Sequence, residues 1–350
     1  MSAARAAEAA SKSLASKSPA SQSSALLGLI GDIGGTNARF ALGHIEDGRI
    51  WVSSLRILQA ADYPTGEDAV RAYLDGLDGH ERPRFAVIAA AGPIEQGAVE
   101  FTNNTAWRFS EAGLVKAAHL DGARLINDFT AQSLALDHLR PEDWRTVGTV
   151  ETAADPQSTA AILGPGTGFG AGARVSDGKG RATLSGEAGH AAFAPTDELE
   201  VEIARRLAQR FGRVSNERIL SGPGLAILYE TINAIEGVDA PPLAPNEITH
   251  RAIEGDELCR AALSRFCAVL GSVAGDLALS FGARAGVYVT GGIAPVILEF
   301  LRASDFRARF EDKGRMSGYV KAIPTRVVVR PDAALVGAAS LLGDFEDAPQ

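Results

Sequence analysis

Apolar positions in this chain fall into two patterns: short unbroken runs bounded by glycine turns, and longer stretches spaced three and four apart. The first unbroken run, residues 25–30, contains no polar side chain. It enters Gly31-Asp32-Ile33-Gly34-Gly35-Thr36-Asn37-Ala38-Arg39-Phe40, and a second apolar-leaning run follows at 41–45. An Asp47-Gly48 turn then leads to a third run at 51–58. Short apolar runs between turn signals predict strands, here 26–33, 38–45, 50–57 and 84–90. Ala69, Val70, Tyr73, Leu74 and Leu77 keep helical spacing and predict a helix over 66–77. A short strand near 98–102, a helix near 110–118, a strand at 124–126 and a helix at 129–137 complete the first half.

The opening pattern then recurs. A strand-like run at 159–163 enters Gly164-Pro165-Gly166-Thr167-Gly168-Phe169-Gly170, continues as a strand over 171–175, turns at Asp177-Gly178 and returns at 181–184. Two apolar strands thus each lead into a Gly/Thr turn and a hairpin, about 130 residues apart, which points to an internal duplication. The second half is richer in helix, with candidates at 197–211, 215–221, 224–235, 246–254 and 257–281. A strand at 286–289 meets a third glycine turn, Thr290-Gly291-Gly292, with a helix over 295–303 behind it. A strand at 326–329 and a helix at 332–342 close the pattern. Strand–turn–helix units of this kind predict an α/β fold with mixed sheets.

Composition narrows the class. The chain has 350 residues, 46% of them apolar, enough for one large or two moderate domains. A net charge of −9 argues against nucleic acid or an anionic membrane as the main partner. Cys259 and Cys267 lie in one helical pattern about 12 Å apart along its axis, too far for a disulfide. Buried thiols and a reducing, cytoplasmic setting follow. The most apolar stretch, 266–281, is interrupted by Asp276 and is short of a membrane span, so it reads as a core helix. Residues 1–24 are mostly Ala, Ser and Lys and are expected to form a disordered extension. They lack the apolar run of a secretory signal, and Glu8 and few arginines weigh against a transit peptide.

Several stretches carry candidate chemistry. A glycine turn between strands is compatible with an ordinary hairpin, and also with a backbone cradle for phosphate. No G-x-x-x-x-G-K-[ST] occurs. Residues 166–171 match G-x-G-x-x-A with Glu187 about 20 residues on, but a dinucleotide fingerprint requires a helix after the turn, and here a strand follows. Two glycine hairpins facing each other would instead clamp a polyphosphate, with Thr36 and Thr167 adding hydroxyls. Asp32 would hold Mg²⁺, and Gly291-Gly292 would let a flat base approach. In Ile126-Asn127-Asp128-Phe129-Thr130 a strand runs into a helix with Asp128 at the junction, either a ligand-facing carboxylate or a helix cap. Glu187 and His190 in Ser185-Gly186-Glu187-Ala188-Gly189-His190, and Glu217 in Ser215-Asn216-Glu217-Arg218, are further polar candidates. Taken singly, His190 is compatible with a structural role and Glu217 with a solvated helix position. As a set without cysteines, these residues suit vicinal hydroxyls better than zinc.

These stretches occur in one order with 217–225 (Glu217-Arg218-Ile219-Leu220-Ser221-Gly222-Pro223-Gly224-Leu225), Gly291-Gly292-Ile293 and Phe310-Glu311-Asp312-Lys313-Gly314-Arg315. The ordered set resembles the bacterial glucokinases over about residues 25–342. The resemblance implies a two-domain actin/hexokinase-like, ribonuclease H-like α/β fold with a cleft between the domains. It implies a small domain of 26–138 plus 330–345 and a large domain of 139–329. It implies ATP and Mg²⁺, phosphorylation of glucose at its 6-hydroxyl, and a homodimer. Asp128 would be the base. Asn127, Glu187, His190, Glu217 and Asn103 would hold the sugar. Gly31, Asp32, Ile33, Gly34, Gly35 and Thr36 would form one phosphate loop, Gly166, Thr167 and Gly168 the second, and Gly291 and Gly292 would lie at the adenosine. Ala188 departs from the family's usual glycine by one methyl. The related repressor/kinase family carries a Cys-rich zinc motif after its Gly-His and a helix-turn-helix domain before its kinase domain. None follows His190 and none precedes Leu26. A same-fold kinase for another hexose or phosphoryl donor, and a non-catalytic sugar sensor, are the alternatives.

Overall fold

The computed structural model describes residues 25–77, 82–101 and 107–345, so the N-terminal extension and Asn103 lie outside the described residues. The first strands are β1 (Leu26–Ile33), β2 (Asn37–Glu46), β3 (Arg49–Gln59) and β4 (Phe85–Ala90). A small sheet of β5 (Ile94–Glu95), β6 (Ala98–Glu100) and β7 (Arg108–Ser110) intervenes before β8 (Gly122–Asn127). The first large sheet has the order β3-β2-β1-β4-β8. The second uses β9 (Trp144–Val147), β10 (Ala160–Pro165), β11 (Phe169–Ser176), β12 (Arg181–Gly186), β13 (Gly286–Val289) and β14 (Thr325–Val328), in the order β12-β11-β10-β13-β14-β9. Each sheet opens with a three-stranded antiparallel meander whose first strand pairs on its other side with a parallel strand. The duplication read from the two glycine turns is therefore present in the strand order. The second sheet differs by one antiparallel edge strand, β9.

The helices are α1 (Gly66–Asp75), α2 (Glu111–Ala118), α3 (Asp128–Ala135), α4 (Glu198–Phe211), α5 (Gly222–Ile235), α6 (Pro245–Glu254), α7 (Glu257–Phe281), α8 (Leu298–Ala303), α9 (Phe306–Glu311), α10 (Ser317–Lys321) and α11 (Ala333–Ser340). Side-chain caps start several of them: Thr65 for α1, Ser110 for α2, Asp197 for α4, Ser221 for α5 and Asp256 for α7. The helix predicted over 215–221 is instead a 3₁₀ turn, Asn216–Arg218. Ser221 accepts the Gly224 N–H and starts α5 afresh, so the two segments cannot be one helix. The helix predicted from 295 begins only at Leu298, because residues 291–297 extend the glycine turn.

The central strands of both large sheets are covered on two faces, which explains their unbroken apolar runs. In β4, Ala86, Ile88 and Ala90 face one cluster with Tyr73 and Trp107, while Val87 and Ala89 face another with Leu335 and Leu342. In β10, Ala161 and Leu163 join the core built on α7, and Ala160 and Ile162 face the opposite cluster. Helix α7 is long and apolar enough to cross a membrane, but most of it is buried in this core. Cys259 and Cys267 are buried free thiols within it.

Helix α3 lies between the sheets. Ala131 packs with the first sheet and α11, and Ala135 and Leu136 pack with the second. Two glycines allow this approach. A Cβ on Gly170 of β11 would sit 2.0 Å from the Phe129 ring, and one on Gly337 of α11 would sit 1.8 Å from the Ala131 carbonyl oxygen. The helix bearing Asp128 is thus wedged between β11 and α11.

Candidate active site

Asn127 ends β8 and caps α3. Its Oδ1 accepts the N–H groups of Phe129 at 2.9 Å and Thr130 at 3.3 Å. The capping role considered for Asp128 therefore falls to Asn127. Asp128 is the first helical residue, and its Oδ1 accepts the Phe129 N–H at 2.9 Å. Burial raises the Asp128 pKa, the neighbouring Asp32 and Glu187 carboxylates push it further, and it reaches about 7 although the Phe129 N–H favours the ionised form. Three carboxylates from different elements thus share one electrostatic site: Asp32 of β1, Asp128 of α3 and Glu187 beyond β12.

Asp32 is itself raised by burial, with Arg39 opposing the shift. Its carboxylate accepts no hydrogen bond among the described residues, and Arg39 Nη1 stands 3.8 Å away. Arg39 spends its short contact on the Pro331 carbonyl at 2.9 Å. An oxygen ligand without a close partner is left at the end of β1. No group of three or more His, Cys, Asp or Glu gathers as a metal cage among the described residues. Magnesium needs none, since it binds through one or two carboxylates, phosphate oxygens and water. The donor set fits that ion.

The two glycine turns have the same internal economy. In the first, Gly34 N–H closes the turn on the Asn37 carbonyl at 3.0 Å; in the second, Gly166 N–H closes on Gly168 at 2.8 Å. The N–H groups of Gly35, Thr36, Thr167 and Gly168 have no acceptor among the described residues. Gly31 and Ile33 are buried in β1, paired with Phe40 and Ala38 of β2, so they support the first turn rather than line it. In the third turn Gly291 has φ +88°, and a Cβ there would lie 2.4 Å from the Pro165 carbonyl oxygen. Glycine is required at 291 to seat this turn against the end of β10. Gly292 faces open space.

Glu217 is not a solvated helix residue. It lies in the 3₁₀ turn, and its Oε2 accepts the Phe169 N–H at 2.9 Å, just past the second glycine turn. Gly222 N–H donates to the Gly166 carbonyl at 2.8 Å, a second tie to the same turn. Glu187 and His190 are exposed around the 3₁₀ turn Ala188–His190. A bridge between Ala192 and Ser215, with Asn216 N–H donating to the Ala191 carbonyl at 2.9 Å, joins this turn to the one carrying Glu217. Glu187, His190 and Glu217 therefore stand on two linked turns. Two contacts were not foreseen. Ser185 Oγ donates to Asn127 Oδ1 at 2.9 Å, and Thr290 Oγ1 donates to Gln132 Oε1 at 3.3 Å. Only the SGEAGH stretch itself pointed toward Ser185; nothing in the sequence singled out Gln132.

A glucokinase family profile matches residues 29–344. The chain belongs to the glucokinase family. A glucokinase from Caulobacter sp. (strain K31) is 51% identical over 313 residues, covering 89% of this chain and 94% of that protein. The crystal structure of a glucokinase from an Antarctic psychrotroph superposes with a TM-score of 0.79 at 37% identity, covering 91% of this chain and 99% of that one. A ROK-family glucokinase from Streptomyces griseus, solved in complex with glucose and AMPPNP, shares the fold, with a TM-score of 0.60 at 22% identity over 91% of this chain and 98% of that one. The glucokinase family fold is the actin-like ATPase fold of sugar kinases, which the duplicated strand order embodies.

Proposed function

We propose that this chain transfers the γ-phosphoryl group of ATP to the 6-hydroxyl of D-glucose, with Asp128 as general base. The observation that carries the reading is the Asp128 carboxylate at the N-terminus of α3, whose pKa is raised to about 7 by burial and by the Asp32 and Glu187 carboxylates. Family membership supports the substrate pair, as do the glucose and AMPPNP bound by the Streptomyces griseus relative. In this reading the 6-oxygen forms a bond to the γ-phosphorus as the bond to the ADP oxygen breaks. The hydroxyl proton passes to Asp128. A base with a pKa near the working pH is suited to that transfer.

Unpaired N–H groups of Gly35, Thr36, Thr167 and Gly168 supply fixed dipoles for the phosphate oxygens, worth most where water is excluded. Asp32 would hold Mg²⁺, which when bound neutralises charge on the phosphates. Asn127, whose amide oxygen is filled by three donors, would offer its Nδ2 to a sugar oxygen. Glu187, His190 and Glu217 would take the remaining hydroxyls, and the Gly291-Gly292 turn would lie at the adenosine. The small domain would comprise 26–138 with 330–345, the large domain 139–329, and the cleft between them would close on the sugar. A cytoplasmic homodimer completes the proposal. A coupled assay for glucose 6-phosphate from ATP and glucose tests it. A panel of other hexoses with ATP and polyphosphate separates the alternative substrates, and absence of any phosphoryl transfer would leave the sugar-sensor reading.

A further inference from the structure

Asp128 and Gln132 stand four residues apart on α3, neighbours on one face of that helix. Phe129 and Ser133, on the adjoining face, rest on β11. A Cβ on Gly170 would meet the Phe129 ring, and one on Gly172 would sit 2.9 Å from Ser133 Oγ. The helix is thereby seated on the strand that leaves the second glycine turn. Gln132 makes a further connection: its Oε1 accepts the Thr290 hydroxyl at 3.3 Å, where β13 gives way to the third turn. Thr290 is only 5% exposed and is fixed from the other side. Its N–H donates to the Leu163 carbonyl at 2.8 Å, and its methyl group covers Gly164, where a Cβ would lie 2.8 Å from it. Thr290 also directly precedes Gly291, whose φ of +88° fixes the shape of the third turn. One side chain thus joins three parts of the site: the end of β10 that leads into the second turn, the third turn, and the helix that begins with Asp128.

We propose that Gln132 is a positioning residue: through Thr290 it ties the third turn to α3, so that nucleotide bound at that turn steadies the helix and the base at its N-terminus. The inference rests on the reading of the third turn as the adenosine site and of Asp128 as the base. It assigns to Gln132 a task distinct from touching either substrate. Nucleotide favours the tied state of α3, and glucose, held at the same helix, favours it too. Such coupling is reciprocal, so each ligand tightens the other by the same factor.

Hydrogen exchange of the α3 amides, measured on the full chain with and without AMPPNP and with no sugar present, tests the tie. Saturating AMPPNP is expected to slow exchange about fivefold in the parent, the worth of roughly one hydrogen bond, and less than about twofold in Thr290→Val and Gln132→Met. Both substitutions keep the size of the side chain and remove the bond. Gln132 is half-buried, so water can replace the lost hydroxyl at its amide and Thr290→Val is expected to fold. Thr290→Ser keeps the hydroxyl and restores the response. With glucose added, kcat falls about fivefold in each of the two variants with little change in the KM for ATP, and the double variant loses no more than either single one. Exchange that is the same with and without bound AMPPNP overturns the tie. Undiminished protection in both variants, or additive losses in the double variant, overturns its assignment to this bond. Failure of AMPPNP to bind at millimolar concentration, read by calorimetry, overturns the nucleotide reading and the tie with it. A chain that phosphorylates a sugar other than glucose would still show the α3 response, so the glucose reading and the tie fail separately.

Discussion

Ser185 Oγ donates a hydrogen bond to Asn127 Oδ1 at 2.9 Å, and the two residues belong to different sheets. The same oxygen caps α3, so the cap of the helix that begins with Asp128 is completed from across the site. Ser185→Ala removes one neutral bond, worth about 1 kcal/mol. The expected outcome is a glucose KM raised about fivefold with kcat within about threefold of the parent, and recovery in Ser185→Thr. Steady-state kinetics with glucose varied at saturating ATP check this.

Asp128→Asn keeps the shape of the side chain and removes the base. Turnover should fall roughly 10²- to 10⁴-fold while glucose binding, measured by calorimetry, changes little. Near-parental turnover would remove Asp128 from that role.

The same carboxylate makes stability depend on pH. Asp128 titrates at about 7 in the fold and near 3.8 without its surroundings. The folded chain therefore binds this proton more tightly than the unfolded chain. Ionised Asp128 destabilises the fold, a cost absent below about pH 4 and complete above about pH 7, with a ceiling on the order of 4 kcal/mol. Asp128→Asn should gain stability over the parent at pH 8 and much less at pH 4.5, as read by urea denaturation. The kcat/KM for glucose of the parent should rise with pH through a single ionisation near 7.

Glu187 and Glu217 should behave differently. Glu217 Oε2 holds the Phe169 N–H beside the second glycine turn, whereas Glu187 is exposed and contributes charge near Asp128. Glu217→Ala is expected to raise the KM of both glucose and ATP. Glu187→Ala is expected to raise the glucose KM with little effect on ATP. Bisubstrate kinetics distinguish the two patterns.

Gly337→Ala tests the wedge around α3. The added methyl meets the Ala131 carbonyl oxygen, a backbone atom that cannot rotate away. A loss of roughly 1–3 kcal/mol is expected, visible as a lower urea midpoint.

Much of this was legible in the sequence because unbroken apolar strands and glycine turns have local causes. Strands β1, β2 and β4 follow from runs of side chains that need buried faces, and both Gly/Thr turns from the glycines that interrupt such runs. Other features rest on contacts between distant positions. Strand β9 has four residues, and its pairing with β14 depends on a partner some 180 positions away. Helices α9 and α10 are too short to display a period. Asn127 and Asp128 are both common caps, and their order of use is decided by backbone geometry. Gly170 lies within the 166–171 stretch that matches a nucleotide fingerprint; in the fold it makes room for Phe129, a residue about forty positions earlier.

Helix α11 has a consequence for biosynthesis. Ala334, Leu335, Ala338 and Leu342 cover Ile30, Ala41, Val87, Ala89 and Ile126 on one face of the first sheet. About two hundred residues separate Ile126 from Ala334. At ordinary ribosomal speed that is a wait of roughly ten to forty seconds. During it only α3, through Ala131 and Leu134, is at hand to cover part of that apolar face, so the newborn chain stays vulnerable to aggregation until its end is made, and a premature stop before residue 333 leaves the rest of the face open.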